Sequence, residues 1–347
     1  MLMFPLPLNL TQPAMVWPVW CADVPPELLR IENLRTVFRL ADGVVKAVDG
    51  VSLSVAEGEV LGLVGESGSG KSITCRSIMR LLPPSARIEE GEIYYRGENV
   101  LTWSERALTA WRGGEVSMIL QEPMTALNPV LTIGEQIVET ILQHEEIDKT
   151  AARKRAVEAL KRVGIPAAER RLDEYPHQFS GGMRQRAMIA IALACRPRLL
   201  LADEPTTALD VTVQDQIIRL VQDLQRELGM SVVWVTHDLG VVAQLCDRVA
   251  VMYAGQIVEL ANVVDLFEES RHPYTRGLLE SVPSGERGLG LIPIPGQPPD
   301  LLDLLPGCAF APRCRYATER CTETAPPLRT VKPGHASACI RFEEIWP

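Results

Sequence analysis

Positive charge is in short supply in this chain of 347 residues: 35 lysines and arginines face 44 aspartates and glutamates, a formal net charge of −9. A general affinity for nucleic acid needs a net attraction to phosphate, so the balance argues against one, though not against a local basic groove. Docking onto a membrane-embedded partner stays open, because that contact needs no positive field. Basic residues are also missing from the start of the chain, where the first charged residue is Asp23, so no secretory signal is expected. A clean membrane-spanning run is missing too. Met1–Cys21 is uncharged, but Pro5, Pro7, Pro13 and Pro18, with Asn9, Thr11 and Gln12, break both helix and apolar run. Residues 1–27 therefore read as a disordered N-terminal extension, or as sequence ahead of a later start such as Met15. No internal repeat of a whole unit is visible. The chain reads as cytosolic, a reducing setting in which clustered cysteines suggest metal rather than disulfides.

What is present is ordinary globular composition, 46% hydrophobic and 23% charged, enough for one large core plus an appendage or two modest domains. Leu28–Ser54 reads as short strands and turns. Val60–Val64 is an uncharged apolar run suited to a strand buried on both faces. Helical spacing follows over Lys71–Leu82, ended by Pro83 and Pro84, and Gly91–Gly97 reads as a strand. Glu135–Val163 is helical throughout, like a block inserted into the alternation. Beyond Gly182 helix and strand alternate again: helix over Met183–Cys195, strand over Leu199–Ala202, helix over Val213–Leu228, strands over Val232–Thr236 and Arg248–Tyr253. Such alternation predicts a mostly parallel α/β sheet. Past Pro283 proline, glycine and cysteine accumulate, which marks a domain boundary.

Gly65, Glu66, Ser67, Gly68, Ser69, Gly70, Lys71 and Ser72 fit GxxxxGK[ST] between a predicted strand and a predicted helix. Glycines let successive backbone N–H groups turn toward phosphate oxygens, and the helix start adds the positive end of a dipole. Lys71 would reach the terminal phosphates and the Ser72 hydroxyl would ligate Mg²⁺. The strand Leu199–Ala202 runs into Asp203 and Glu204, a pair that lands beside such a loop at the carboxyl edge of a parallel sheet. Asp203 would hold Mg²⁺ through water and Glu204 would polarise the attacking water.

Phe179–Arg186 (FSGGMRQR) resembles the signature of ABC ATPases, with Ser180, Gly181 and Gly182 at its centre, and it precedes the acidic strand. Gln121 is similar to the Q-loop glutamine of that family, Ala208-Leu209-Asp210 to its D-loop and His237 to its switch histidine. Gln121–Pro129, Pro176–Arg186, His272–Pro283 and Pro295–Cys339 look like the dipeptide, oligopeptide and nickel importer ATPase subunits, in their D-type form. The resemblance covers about Leu28 to Phe342. It implies a P-loop ABC ATPase fold: a core with an antiparallel β subdomain over residues 28–283, a helical subdomain at about 124–182, and a C-terminal segment over 284–347. It implies ATP and Mg²⁺ as cofactors. Nucleotide would contact Gly65 to Ile73, with Gln121 and Asp203 at the metal, and Glu204, Gln121 and His237 at the chemistry. Ser180–Gly182 and Asp210 would complete the site of a facing second cassette, an F-type relative. Phe38 stacks on adenine in this reading, or is a core phenylalanine. Two membrane-spanning permease subunits and, indirectly, an extracytoplasmic solute-binding protein would be the other partners, with the chain on the cytoplasmic face of the membrane. Retention of Glu204, His237 and the signature implies a competent half for each composite site.

Cys308, Cys314, Cys321 and Cys339 are separated by five, six and seventeen residues, longer than the usual gaps of structural zinc and unlike common ferredoxin spacings. Spacing alone supports a four-thiolate metal site or unliganded thiols in a loose tail. The resemblance to D-type subunits implies a [4Fe–4S] cluster there. A soluble ABC ATPase acting on nucleic acid or ribosomes is a rival reading, weakened by the acidic balance and by the lack of coiled-coil inserts; one acting in iron–sulfur assembly is another, weakened by the long cysteine tail and the His272–Pro283 stretch.

Overall fold

The computed structural model describes residues 26–207, 209–281, 293–304 and 306–346. The first strands are β1 (Glu27–Leu40) and β2 (Gly43–Ala56), then β3 (Val60–Val64) leads into α1 (Lys71–Ile78). The chain returns through β4 (Ala86–Tyr95) and β5 (Glu98–Asn99), and passes α2 (Glu105–Trp111) to β6 (Val116–Ile119). Five helices follow: α3 (Pro123–Ala126), α4 (Ile133–His144), α5 (Lys149–Arg162), α6 (Ala168–Arg171) and α7 (Gly181–Ala192). Alternation resumes with β7 (Leu199–Asp203), α8 (Val211–Leu228), β8 (Ser231–Thr236), α9 (Leu239–Leu245), β9 (Arg248–Tyr253) and β10 (Gln256–Asn262). Helices α10 (Val263–Glu269), α11 (Pro273–Glu280) and α12 (Arg320–Glu323) precede β11 (Arg329–Lys332), β12 (His335–Ser337) and α13 (Phe342–Ile345).

Two sheets organise these elements. An antiparallel sheet has the order β2-β1-β4-β5, and an eight-stranded sheet runs β11-β12-β10-β9-β3-β8-β7-β6. Pairing is parallel from β9 through β3, β8 and β7 to β6, and antiparallel from β9 outward through β10, β12 and β11. Every residue of β3, β7 and β8 is buried because the two faces of the large sheet feed different cores. Leu61, Leu63, Leu199, Leu201, Val233 and Val235 pack toward the antiparallel sheet and α1. Val60, Val64, Leu200, Ala202, Val232 and Trp234 pack on the other side with the inserted helices, α8 and α9. Unbroken apolar runs follow from that two-sided burial.

Several sequence expectations need correction. Leu28–Ser54 is not a set of short strands: β1 and β2 are each 14 residues long, and register shifts at four places bend β1, which blurs a strict period of two. Glu27 already belongs to β1, so the expected extension over 1–27 is shorter at its end, and residues 1–25 lie outside the described residues. Helix α1 stops at Ile78, where Arg80 takes a left-handed conformation (φ 52°), rather than running to Leu82. The strand expected at 91–97 starts five residues earlier, at Ala86. The helical block breaks between His144 and Lys149; Thr132 and Glu135 form a capping box on α4, and Asp148 caps α5. The expected boundary at Pro283 falls outside the described residues.

Residues 293–346 do not stand apart from the core. Strand β12 pairs with β10 through Glu259–Ser337 and Leu260–Ala336, and β11 lies outside it. The fully buried Glu259 carboxylate accepts a bond from His335 Nε2 (2.7 Å), together with the backbone N–H groups of Arg271 and His272. A buried carboxylate with three donors is stable where a lone one would not be. Among the described residues no helix is long and apolar enough to cross a membrane.

Candidate active site

Strand β3 is central in the large sheet and ends at Val64, so the loop 65–70 opens at the carboxyl edge, where crossovers leave a crevice. Two of its glycines are required. A Cβ on Gly65 (φ 151°) would lie 2.1 Å from the Met252 carbonyl oxygen, and one on Gly70 (φ 105°) 2.2 Å from that of Ala47. Lys71 begins α1 and is almost wholly buried, its ammonium donating to the carbonyls of Gly65 and Glu66, both at 2.9 Å. Burial pulls the Lys71 pKa down, against the opposite pull of Glu204, Asp203 and Glu66.

Asp203 ends β7 and accepts a 2.7 Å bond from Ser72 Oγ, although the two are 131 residues apart in sequence. Burial pushes the Asp203 carboxyl up, while the Ser72 bond pulls it down. Glu204 follows with a left-handed backbone (φ 47°), its N–H donating to the Val235 carbonyl. This costly conformation turns its side chain toward the crevice. Its Oε2 accepts from Gln121 Nε2 (3.0 Å) and Thr207 Oγ1 (2.9 Å), and its Oε1 lies 3.5 Å from His237 Nδ1. A cleft of about 590 Å³ is lined by Ala47, Ser67, Gly68, Gly70, Lys71, Ser72, Ile73, Gln121, Glu204 and His237. That volume suits a small-molecule ligand.

The structure thus brings together the expected loop, the acidic pair, Gln121 and His237. Ser180, Gly181, Gly182 and Asp210 do not line this cleft. Ser180 caps α7 by accepting from the Met183 N–H, Asp210 caps α8 through Thr212 and Val213, and Ala208 lies outside the described residues. Phe38 is half-buried on β1, paired with Val45 and Ala86, and is not among the lining residues. Sequence reasoning missed Thr207 and the surroundings of Glu66. The Glu66 N–H donates to Tyr274 Oη (2.8 Å), and its carboxylate is held by Arg313. No local pattern announces a contact 247 residues away in sequence.

The four tail cysteines share one apolar cavity, walled by Pro273, Phe310, Ala311 and Ile340. Burial raises the thiols of Cys308 and Cys314, and pushes that of Cys339 up to about 12. Such thiols stay protonated unless a cation draws the proton off. Among the described residues no group of three or more His, Cys, Asp and Glu is placed to hold a metal ion.

The ABC transporter family profile matches residues 48–207, and the profile of the oligopeptide/dipeptide transporter C-terminal region matches 258–321. A probable peptide ABC transporter ATP-binding protein of Sinorhizobium fredii is 52% identical over 92% of this chain and 96% of its own length. The oligopeptide transport ATP-binding protein OppD of Bacillus subtilis is 51% identical over 89% of this chain and 87% of its own. A solved dimeric ATP-binding cassette, bound to ADP and Pi in a post-hydrolysis state, covers 68% of this chain and 99% of its own. It superposes with a TM-score of 0.62 at 31% identity.

Proposed function

The chain belongs to the ATP-binding, ATP-hydrolysing subunits of ABC transporters, in the oligopeptide/dipeptide group, and from that premise we propose that it powers peptide import from the cytoplasmic face of the membrane. The observation that carries the reading is the convergence of Lys71, Ser72, Gln121, Glu204 and His237 on one cleft, with Asp203 bonded to Ser72 behind it. The relatives named above supply the cargo class: they are peptide and oligopeptide transport proteins. The match over 258–321 weighs against a soluble role with nucleic acid, ribosomes or iron–sulfur assembly.

In this reading Lys71 exchanges the two carbonyls of its own loop for phosphate oxygens, which restores in full the counter-charge that a buried ammonium needs. Ser69 Oγ, buried without a partner, is a further donor inside the loop. Ser72 and Asp203 present hard oxygens 2.7 Å apart, a donor set that fits Mg²⁺, with Gln121 beside them. Bound there, Mg²⁺ neutralises charge on the phosphates. Glu204 takes the proton of the attacking water, while Gln121 and Thr207 fix its carboxylate and His237 faces the γ-phosphate side. Ser180–Gly182 open α7, and their N–H and hydroxyl donors serve the cleft of a facing F-type cassette. Two such cassettes closing on ATP drive two permease subunits, fed by a solute-binding protein. Phe38 is not among the residues that line the cleft.

The thiol cavity is read as the place of a [4Fe–4S] cluster because Cys308, Cys314, Cys321 and Cys339 line one apolar cavity, and thiolates are the usual ligands of such clusters. Cys308, Cys314, Cys321 and Cys339 would hold it, and its role is to cross-link a segment with little core of its own.

The test is ATP-driven uptake of a labelled peptide into vesicles carrying the assembled complex. Lys71→Ala is expected to abolish both nucleotide binding and uptake; undiminished binding and uptake would refute the assignment.

A further inference from the structure

We propose that Arg313 is a positioning residue for the phosphate loop: it latches the cysteine-bearing C-terminal segment onto Glu66, so that the order of this segment sets how tightly the cleft holds nucleotide. The inference rests on the reading of residues 65–72 as a phosphate loop, and goes beyond it.

Arg313 is 8% exposed, and its guanidinium spends four donated bonds in one place. Nη1 and Nη2 grip the two Glu66 oxygens at 2.6 and 3.0 Å, Nη1 also reaches Tyr253 Oη at 3.3 Å, and Nε donates to the Pro295 carbonyl at 2.9 Å. A two-point arginine–carboxylate pair fixes direction as well as distance, and the buried Arg313 guanidinium does not tolerate loss of the half-buried Glu66 carboxylate. Glu66 is in turn a node of the loop. Its N–H is bonded to Tyr274 Oη, and its carbonyl receives both the Lys71 ammonium and the Ser69 N–H. A pull on the Glu66 carboxylate therefore moves the carbonyl that holds Lys71.

The other end of the latch is the thiol cavity. Arg313 directly precedes Cys314 in the short stretch that begins at Cys308. Phe310, between them, lines that cavity and also packs on Tyr253 and Tyr274, with ring centroids 5.3 Å apart in both cases. One loop thus faces the thiols on one side and the phosphate loop on the other. Pro298–Leu301 of the same segment border Ser67–Ser69, adding a wall beside the loop.

The experiment is calorimetric titration of Mg²⁺ plus ADP into the full-length chain, for the unaltered protein and for Arg313→Ala, Arg313→Lys, Glu66→Gln and the double variant Glu66→Gln/Arg313→Ala. Each single change is expected to weaken binding about tenfold, with the double variant no weaker than the worse single, as for two residues acting as a unit. A purely structural arginine would lower the thermal midpoint and leave affinity untouched, and that outcome overturns the latch. So do losses that simply add. If Arg313→Ala does not fold, Arg313→Lys and Glu66→Gln decide the matter, and wild-type affinity in both overturns the proposal. Lys71→Ala separates the two readings. Unchanged affinity in Lys71→Ala would remove the phosphate loop itself, whereas affinity lost there but kept in the Arg313 variants would remove only the latch.

Discussion

Replacing Glu204 by glutamine should stop hydrolysis while sparing almost everything else. Both donors to this side chain, Gln121 Nε2 and Thr207 Oγ1, end on the same oxygen, Oε2. A glutamine can place its carbonyl oxygen there and keep both bonds. Its amide then occupies the Oε1 position, 3.5 Å from His237 Nδ1, where a neutral imidazole nitrogen can accept. The backbone strain at φ 47° is the same for either residue. Fold stability should therefore change by less than about 1 kcal/mol. Nucleotide affinity should hold or rise, because a negative charge that acts on Lys71 is removed from the phosphate site. What is lost is the base: a positioned carboxylate contributes about 10²- to 10⁴-fold to such a step. That corresponds to about 3–5 kcal/mol of barrier. Phosphate release by the assembled transporter, measured at saturating Mg·ATP beside a binding titration of the same variant, separates these effects. Hydrolysis at the wild-type rate would show that Glu204 is not the base, and collapse of binding would show that the side chain serves the loop rather than the water.

Two further predictions concern other parts of the molecule. Burial pushes the Cys246 thiol from its ordinary 9.0 up to about 12, so between those values the unfolded chain sheds a proton that the folded one keeps. Its contribution to stability is complete below about pH 9 and fades as pH rises toward 12; Cys246→Ala should flatten the fall of the urea midpoint between about pH 8 and 10.5, and an unaltered slope would contradict this. Protein purified without oxygen should contain iron and acid-labile sulfide in equal amount, both reduced by Cys314→Ser; zinc without sulfide, or neither metal, would dismiss the cluster.

Local signals were legible in the sequence and distant ones were not. The strands Val60–Val64 and Arg248–Tyr253 are found with the expected bounds, and Leu199–Ala202 gains only Asp203, because burial on both faces writes an unbroken apolar run. The loop at Lys71 and the pair Asp203–Glu204 follow those strands directly, so placing the strands placed the chemistry. The long hairpin of β1 and β2 was obscured because its bulges shift the alternation. The two readings of Phe38, adenine stacking or core packing, could not be separated by pattern, because which face a strand residue meets depends on register, and register on the partner strand. The grip of Arg313 on Glu66 and the pairing of β12 with β10 join residues 247 and about 77 positions apart in sequence, where no periodicity reaches.

The hairpin of β11 and β12 has a practical consequence for anyone shortening this protein. Strand β10 carries Ile257, Val258 and Leu260, all buried, and β12 covers its outer border. A fragment ending ahead of Arg329 would bare that border, a row of unmet amide and carbonyl groups flanked by greasy side chains. Such a rim recruits strands from neighbouring molecules. Fragments trimmed near residue 283 should therefore clump, whereas those that keep the hairpin carry their own guard rail.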